Sequence, residues 1–364
     1  MELFSNIYKA KKVLITGHTG FKGSWLAFWL LKMGADVVGY SLKPPTSPNH
    51  FDLLKLPMHS IIGDIRDRDK LFKAFQNSQP EITFHMAAQP LVRLSYQQPF
   101  ETYETNVMGL VNVLEACRNT PSLRVVVNIT SDKCYQNNEW VWGYRENDPM
   151  GGYDPYSSSK GCAELITAAY RNSFFNIDQY NQSHQILLAS ARAGNVIGGG
   201  DWAEDRLIPD IIRAMQKNSE VIIRKPQSTR PWQHVLEPLS GYLLLGQKLL
   251  QGEKAFAEAW NFGPKDEDAI PVIDIVKKLK SNWAKVNYRV EEDKSDFHEA
   301  HLLKLDCSKA HAILKWQGIW DNETTFKKTT EWYKAYYEKD IIRTDQDLKT
   351  YINDAVQSKT AWAQ

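Results

Sequence analysis

Short runs of apolar, β-favouring residues alternate with helical patterns over the first two hundred residues, and this alternation constrains the fold more than any other feature. The candidate strands lie at 11–17, 35–42, 59–67, 81–89, 124–130 and 186–198. The helical patterns that separate them include 24–34, 68–78, 99–119 and 156–175. Strands that alternate with helices form a parallel sheet covered on both faces. The sequence therefore predicts an α/β fold with a Rossmann-type, doubly wound parallel sheet.

The pattern changes beyond residue 198, where loops interrupt shorter elements and a smaller mixed α/β region is expected. With 364 residues, the chain is long enough for two domains. The prediction assigns 1–194 and 234–263 to a Rossmann domain, 195–233 and 264–345 to a substrate-binding domain, and 346–364 to a C-terminal tail that is either a terminal helix or frayed.

Composition excludes several classes of protein. The net charge of +1, without a dense basic run, argues against a nucleic-acid-binding protein. No apolar run reaches the roughly 18 residues of a membrane span, and the N-terminus lacks the pattern of a signal peptide. The four cysteines are scattered, so neither a disulfide framework nor a metal site is predicted. A cytoplasmic protein is the simplest expectation.

A glycine-rich turn, "GHTGFKG" at 17–23, lies between the first strand and the first helix. Glycines permit a tight turn and let a pyrophosphate approach the backbone, while the helix N-terminus offers N–H donors and partial positive charge. The spacing Gly-x-x-Gly-x-x-Gly at this place in the chain predicts a dinucleotide site. Its candidate residues are Gly17, His18, Thr19, Gly20, Phe21, Lys22 and Gly23.

Two further strand ends fit the same dinucleotide. Asp64, followed by Ile65, could accept a hydrogen bond from the adenine amino group or could cap the next helix. Ala87 and Ala88, followed by Gln89, leave room for a cofactor, although small residues there also suit close packing of a strand on a helix.

The second strand carries no acid at its end, where one would bind the ribose hydroxyls of NAD. Lys43 follows that strand and would suit a phosphate. The spacing alone therefore leaves NAD and NADP both open.

Two polar clusters carry the candidate chemistry. "YSSSK" places Tyr156 and Lys160 on one face of a helix, and "TSDK" places Ser131, Asp132 and Lys133 after the fifth strand. The ordinary pKa of tyrosine is about 10, and a neighbouring ammonium and a nicotinamide cation would both favour its phenolate. Behind a dinucleotide turn, this arrangement predicts a catalytic base rather than a surface pair.

The motifs "TGHTGFKG", "HMAAQP", "NVMGLVNVLEAC", "ITSDKCY", "YSSSK" and "RAGNVIG", in this order, resemble the extended short-chain dehydrogenase/reductase family from about residue 10 to 340. Further stretches, "YSLKPPTSPN", "GGYDPYSSSK", "GGGDWAEDRLIPD" and "RPWQHVLEPLSGYL", are most similar to nucleotide-sugar 4,6-dehydratases that act on CDP-glucose. The resemblance implies bound NAD and CDP-glucose as the substrate.

The resemblance also implies a role for each polar residue. Tyr156 would take the proton of the sugar 4-hydroxyl while Ser131 hydrogen-bonds the same oxygen, and Lys160 would hold the nicotinamide ribose. Lys133 would remove the C5 proton and Asp132 would protonate the departing 6-hydroxyl. A lysine can act as a base only when neutral, so this role requires surroundings that disfavour the ammonium ion.

Other functions and other substrates are distinguished mainly by the Asp132–Lys133 pair. Dehydratases of dTDP- and GDP-sugars typically have Asp-Glu here, whereas inverting UDP-N-acetylglucosamine dehydratases share Asp-Lys but differ downstream. A nucleotide-sugar 4-epimerase needs no such acid–base pair. The pair could also be a surface salt bridge at a strand end. A redox-sensing regulator that has lost catalysis would usually lack the equivalents of Tyr156 or Lys160.

The resemblance places the nucleotide diphosphate on the second region. Arginine suits this task because its planar fork binds phosphate oxygens at two points. The implied substrate-binding residues are Asn195, Arg206, Leu207, Arg230 and His301, with His298 as a substitute for His301.

Two further expectations follow. His18 and Lys22 are bulky for this turn and could crowd the pyrophosphate, which predicts weaker retention of NAD⁺ than in typical dehydratases. The helices near 101–118 and 156–175 resemble those that form a four-helix dimer interface in this family, which implies a homodimer or a homotetramer.

Overall fold

The computed structural model describes residues 2–265, 269–291 and 302–364. Its centre is a sheet of seven parallel strands in the order β10-β6-β5-β4-β1-β2-β3. These strands are β1 (Lys12–Thr16), β2 (Asp36–Ser41), β3 (His59–Ile62), β4 (Ile82–His85), β5 (Val125–Ile129), β6 (Leu187–Ala193) and β10 (Ala259–Phe262). The predicted Rossmann-type parallel sheet is confirmed.

Helices cover both faces of this sheet. The helices of the described residues, of which α8, α10 and α11 pack on the smaller sheets instead, are α1 (Phe21–Lys32), α2 (His50–Leu54), α3 (Arg68–Ser78), α4 (Val92–Gln97), α5 (Pro99–Tyr103), α6 (Gly109–Arg118), α7 (Pro155–Ser173), α8 (Leu207–Gln216), α9 (Leu236–Leu250), α10 (Val272–Asn282), α11 (Asn322–Lys339) and α12 (Thr344–Gln357). The strands β4, β5 and β6 are buried along their whole length, as expected of central strands with helices on both faces.

The strand order reverses at β1, which pairs with β2 on one side and with β4 on the other. Ligands of open parallel sheets bind at such a reversal, outside the carboxyl ends of the strands. Thr16 ends β1 and His85 ends β4, and their side chains hydrogen-bond at 2.7 Å between Oγ1 and Nδ1. This edge therefore presents the glycine-rich turn next to the ends of β4 and β5.

Two smaller sheets stand apart from the central one. They contain β7 (Asn195–Ile197), β8 (Val221–Ile223), β9 (Thr229–His234), β11 (Ala269–Pro271) and β12 (Tyr288–Val290). The prediction of one strand over 186–198 is wrong, because β6 ends at Ala193 and β7 leaves the central sheet to pair with β9.

The segment predicted as one helix over 99–119 holds a π-helical turn at Glu104–Met108 between α5 and α6. At the C-terminus, α12 forms the helix that was one of the two alternatives for the tail. The Trp362 ring beyond it stacks on Phe4, with centroids 5.1 Å apart, so this segment packs against the start of the chain. No helix in the described part of the chain is long and apolar enough to cross a membrane.

Candidate active site

A cleft of about 840 Å³ opens at the carboxyl edge of the central sheet. It is bounded by loops that follow β5 and β6, by the start of α7, and by α8 and β8. Among the predicted site residues, its lining includes Phe21, Lys22, Ser131, Asp132, Lys133, Tyr156, Asn195, Arg206 and Leu207. The structure thus brings most of the residues proposed for chemistry and substrate binding around one space, whereas Lys160 and Arg230 are not part of its lining.

Tyr156 lies in the first turn of α7, whose start is fixed by its neighbours. The Asp154 side chain caps the helix by accepting from the backbone N–H of Ser157 at 2.9 Å, and Pro155 occupies the first helical position. The backbone N–H of Tyr156 donates to Ser95 Oγ at 3.1 Å. These contacts fix the first turn of α7 and therefore hold the Tyr156 phenol in the wall of the cleft.

Burial shapes the protonation of this pair. The Tyr156 side chain is largely buried, which raises its pKa to about 12, while a hydrogen bond with Ser131 lowers it. Burial also lowers the pKa of Lys160 to about 8, and the nearby Glu164 carboxylate opposes that change. The ammonium of Lys160, one helical turn from the phenol, is thus still the main form near neutral pH.

The turn after β5 brings the second polar cluster to the phenol. Ser131 is 6% exposed, accepts from the backbone N–H of Lys133 at 3.2 Å and donates to Asp132 Oδ1 at 2.9 Å. Asp132 packs against Gly194, where an added Cβ would lie 2.9 Å from its Oδ2. Ser131 also lies beside the Tyr156 phenol in the cleft wall, and its hydroxyl lowers the pKa of that phenol. The two clusters therefore meet at one point, and Lys133 lies at its edge, partly exposed.

The glycine-rich turn has the shape that a dinucleotide requires. Gly17 has φ of +80°, and an added Cβ would lie 2.7 Å from the backbone N of Ala87. At Gly23, an added Cβ would lie 2.1 Å from the Gly17 carbonyl oxygen. A Cβ at Gly20 would meet only that oxygen, at 3.3 Å, among the described atoms. The turn is therefore closed toward the protein and open at Gly20, where it fits a pyrophosphate.

The side chains in this turn point in different directions. The His18 ring is fully buried against β2, and an added Cβ at Gly39 would lie 2.2 Å from it. Its Nε2 hydrogen-bonds Ser60 Oγ at 2.7 Å, and burial lowers its pKa to about 4. Thr19 Oγ1 lies 2.9 Å from Ser41 Oγ at the end of β2. The placement of His18 gives no support to the idea that its ring crowds the pyrophosphate.

Lys22 takes the opposite direction and enters the cleft. Burial lowers the pKa of its amine to about 7, and the charges of Lys160 and Arg206 lower it further while Asp132 raises it. Its Nζ also lies 5.9 Å from the centroid of the Tyr242 ring. A second amine therefore lies beside the catalytic candidates.

Asp64 does not cap the following helix. The cap of α3 is Asp67, which accepts from the backbone N–H of Lys70 at 3.1 Å. Both carboxylate oxygens of Asp64 instead accept from Arg66, at 2.9 Å from its backbone N–H and 2.7 Å from its Nη2. The neighbouring Ile65 side chain is buried against Gly109. The N-cap interpretation is therefore wrong, and the adenine contact stays a prediction.

The loop after β4 is tied to both neighbouring helices. Gln89 donates its backbone N–H to Asn106 Oδ1 at 2.8 Å, and the amide of Asn106 donates to Ser159 Oγ at 2.9 Å. Ala87 and Ala88 are only partly buried in this loop. Asn106 thus links the candidate cofactor loop to the helix that carries Tyr156.

On the substrate side, Arg206 lies at the start of α8 and pairs with Asp201 at 2.8 Å. The Asp201 carboxylate raises the pKa of Arg206, and the charge of Arg206 in turn favours the Tyr156 phenolate. Arg230 lies in β9, where its backbone pairs with Ile270. His298 and His301 lie outside the described residues.

Sequence reasoning missed Asp201 and Asn106. Asp201 stands in "GGGDWAEDR", where an acid in a glycine-rich loop five residues before an arginine is a detectable signal. Asn106 carries no comparable signal, because its role depends on a loop and a helix that are distant in sequence. Among the residues that the structure describes, no cluster of His, Cys, Asp and Glu could hold a metal ion.

This fold and site define a dinucleotide-dependent enzyme of the extended short-chain dehydrogenase/reductase class. The chain belongs to the GDP-mannose 4,6 dehydratase family, whose model matches residues 14–329. It is 56% identical over 352 residues to CDP-glucose 4,6-dehydratase of Salmonella typhimurium, an alignment covering 96% of this chain and 98% of that protein.

Solved structures show the same fold. An epimerase from Methanothermobacter thermautotrophicus has a TM-score of 0.79 and 22% identity, covering 92% of this chain and 95% of its own. A dTDP-glucose 4,6-dehydratase from Bacillus anthracis, in complex with NAD, has a TM-score of 0.73 and 19% identity, covering 91% and 98%. The predicted family and fold class are confirmed.

Proposed function

We propose that this chain catalyses the NAD-dependent dehydration of CDP-glucose to CDP-4-keto-6-deoxyglucose. The observation that carries this proposal is the 56% identity, over nearly the full length of both chains, to a CDP-glucose 4,6-dehydratase. The presence of Ser131 and Tyr156 in the wall of one cleft supports it, because dehydration needs the residues of both clusters at one sugar.

The cofactor is NAD. The open turn at Gly20, the backbone N–H groups of the first turn of α1 and the loop after β4 form a cradle for the dinucleotide. When bound there, NAD would supply the hydride acceptor for sugar C4 and the hydride donor for C6, and a proton would return to C5 as C6 takes up the hydride.

Oxidation of the sugar at C4 depends on Tyr156. Its phenolate takes the proton of the 4-hydroxyl, and Ser131 hydrogen-bonds the same oxygen. Lys160 holds the nicotinamide ribose and, as an ammonium, favours the phenolate. The charge of Arg206 acts in the same direction.

Elimination of water depends on the turn after β5. The 4-ketone acidifies the C5 proton, which Lys133 removes, while Asp132 gives a proton to the departing 6-hydroxyl. The hydrogen bond from Ser131 to Asp132 fixes the acid beside the same serine that contacts Tyr156. Acid, base and phenol therefore act on one hexose without reorientation of the substrate.

The diphosphate is bound by the second region. Asn195, Arg206 and Leu207 line the same cleft as the catalytic residues. Arg230, in β9, and His301 complete the proposed set for the nucleotide. This arrangement accounts for a sugar that reaches Tyr156 while its nucleotide extends toward α8 and β8.

The functional unit is a homodimer. Four large apolar side chains are exposed on the helical face formed by α5, the π-helical turn and α7: Phe100, Tyr103, Met108 and Leu165. An exposed apolar patch of this kind marks an interaction surface. The Met108→Glu/Leu165→Glu double variant should shift the chain to a monomer in light scattering, and an unchanged mass would contradict this interface. The free thiols of all four cysteines fit a reducing cytoplasm.

A panel of nucleotide-glucoses tests the substrate. The enzyme, supplied with NAD⁺, should form a 4-keto-6-deoxy sugar from CDP-glucose much faster than from UDP-, dTDP- or GDP-glucose. A preference for another nucleotide, or a 4-epimer as the only product, would overturn the proposal.

A further inference from the structure

We propose that the buried ion pair of Glu164 and Arg192 is a positioning device that holds both ends of the catalytic turn at Ser131, Asp132 and Lys133. The proposal rests on the function proposed above, because it concerns the alignment of the acid and the base. Neither residue lines the cleft, so each would act through the turn rather than on the substrate.

The pair itself is almost fully enclosed. The side chains of Arg192 and Glu164 are 4% and 3% exposed, and Arg192 Nη2 lies 2.8 Å from Glu164 Oε2. Glu164 is on α7, one turn beyond Lys160, and Arg192 is near the end of β6. A buried ion pair is weak evidence for stability, because desolvation offsets its attraction, so a role in fixing geometry is the stronger explanation.

The carboxylate holds the start of the turn. The hydroxyl of Thr130, the residue just before Ser131, donates to Glu164 Oε1. The hydroxyl of Ser190, which lies on β6 and not on the turn, donates to Glu164 Oε2 at 2.7 Å. One carboxylate thus joins the exit of β5 to a strand and to the guanidinium.

The guanidinium holds the end of the turn. Arg192 Nη1 donates to the phenol oxygen of Tyr135 at 2.5 Å and to the Glu146 carbonyl at 3.1 Å. The Tyr135 hydroxyl donates in turn to Asn261 Oδ1 at 2.8 Å. Thr130 and Tyr135 flank the catalytic turn on either side, so the single ion pair restrains both of its ends.

This restraint matters because three groups must meet one sugar ring. A displacement of about 1 Å in a catalytic group can cost roughly a hundredfold in rate. Catalytic groups that are held by a second layer of hydrogen bonds keep the productive geometry and need no rearrangement during the reaction. Loosening the turn should therefore slow the chemical steps and leave substrate binding unchanged.

Two substitutions that each remove one hydrogen bond to the Glu164 carboxylate test the proposal. Thr130→Val and Ser190→Ala each remove one hydroxyl that donates to Glu164, but only Thr130 is attached to the turn. With CDP-glucose and NAD⁺, Thr130→Val should lower kcat by about tenfold to a hundredfold with KM unchanged. Ser190→Ala should keep kcat within about twofold of the wild type. Tyr135→Phe, at the other end, should resemble Thr130→Val.

Thermal unfolding of all three variants separates positioning from folding. Equal rate losses in Thr130→Val and Ser190→Ala, or losses that follow the fall in Tm, would overturn the proposal. If Thr130→Val fails to fold, the comparison of Tyr135→Phe with Ser190→Ala decides in the same way. Activity of the wild type on CDP-glucose is measured in parallel, so failure of the proposed function is recognised separately.

Discussion

The side chain of Ser131, just after the end of β5, lies beside the phenol of Tyr156 in the first turn of α7, and its hydroxyl lowers the pKa of that phenol. The two residues are 25 positions apart in sequence, and the contact joins the two polar clusters at one wall of the cleft. It places the acid and base candidates that follow Ser131 next to the candidate for the oxidation step. The proposed chemistry depends on this contact.

Removal of the phenol oxygen should stop the reaction at its first step. Tyr156→Phe keeps the ring but has no group to take the 4-hydroxyl proton, so kcat should fall by about 10² to 10⁴. Binding of NAD⁺ and CDP-glucose, measured by calorimetry, should change little. Tyr153→Phe is the matched control, because Tyr153 lines the same cleft but is 76% exposed. Full activity of Tyr156→Phe would contradict its assigned role.

Loss of the acid or the base should separate oxidation from elimination. In Lys133→Met and Asp132→Asn, Tyr156 and Ser131 remain, so the sugar is still oxidised at C4 while water loss is slowed. Reduced nicotinamide should then accumulate to nearly one equivalent per site, seen by its absorbance after mixing with CDP-glucose. Release of the 4-keto-6-deoxy product at the wild-type rate from both variants would show that other groups catalyse the elimination.

The pH dependence of the phenol should change when NAD⁺ binds. Burial raises the pKa of Tyr156 to about 12 in the protein without cofactor, so the phenolate is scarce at neutral pH. The nicotinamide cation favours the charged phenolate, so its arrival should lower this pKa. Titration of phenolate absorbance, with Tyr156→Phe subtracted, should show the transition at lower pH with NAD⁺ than without it. An unchanged or higher midpoint with NAD⁺ would contradict the expected lowering of the Tyr156 pKa.

Lys22 should weaken the binding of NAD⁺. Its amine, with a pKa lowered to about 7, lies close enough to Lys160 and Arg206 for mutual repulsion, and the nicotinamide adds another positive charge to that region. Lys22→Met removes the charge and keeps the length, so the Kd for NAD⁺ should fall by about fivefold or more below pH 7. Lys9→Met removes an exposed amine before the start of β1, at the opposite edge of the sheet, and serves as the control. If Lys22→Met and the wild type bind NAD⁺ with equal affinity, the charge of Lys22 is not the cause of the expected weak retention of NAD⁺, and the prediction is wrong.

Local spacing predicted much of the site. The glycine interval of the turn and the four-residue interval between Tyr156 and Lys160 are properties of one turn or one helix, so the sequence alone predicts this local structure. The α/β alternation likewise predicted the parallel sheet. These features depend on neighbours in the chain rather than on contacts between distant segments.

Features that depend on distant segments were not predictable. The direction of His18 follows from the space above Gly39, and the pairing of Arg206 with Asp201 follows from a loop conformation. The division of 186–198 into two strands depends on β9, more than thirty residues later, which takes β7 as its partner. Asp64 pairs with Arg66 instead of capping α3, because Asp67 occupies that position.

Transfer of label within the substrate tests the central claim most directly. CDP-glucose carrying deuterium at C4 is incubated with the enzyme and NAD⁺, and the product is examined by NMR. Hydride removal at C4 and return to C6 predicts deuterium in the 6-methyl group of a 4-keto-6-deoxy sugar. A 4-epimer that carries no label at C6 would contradict the account.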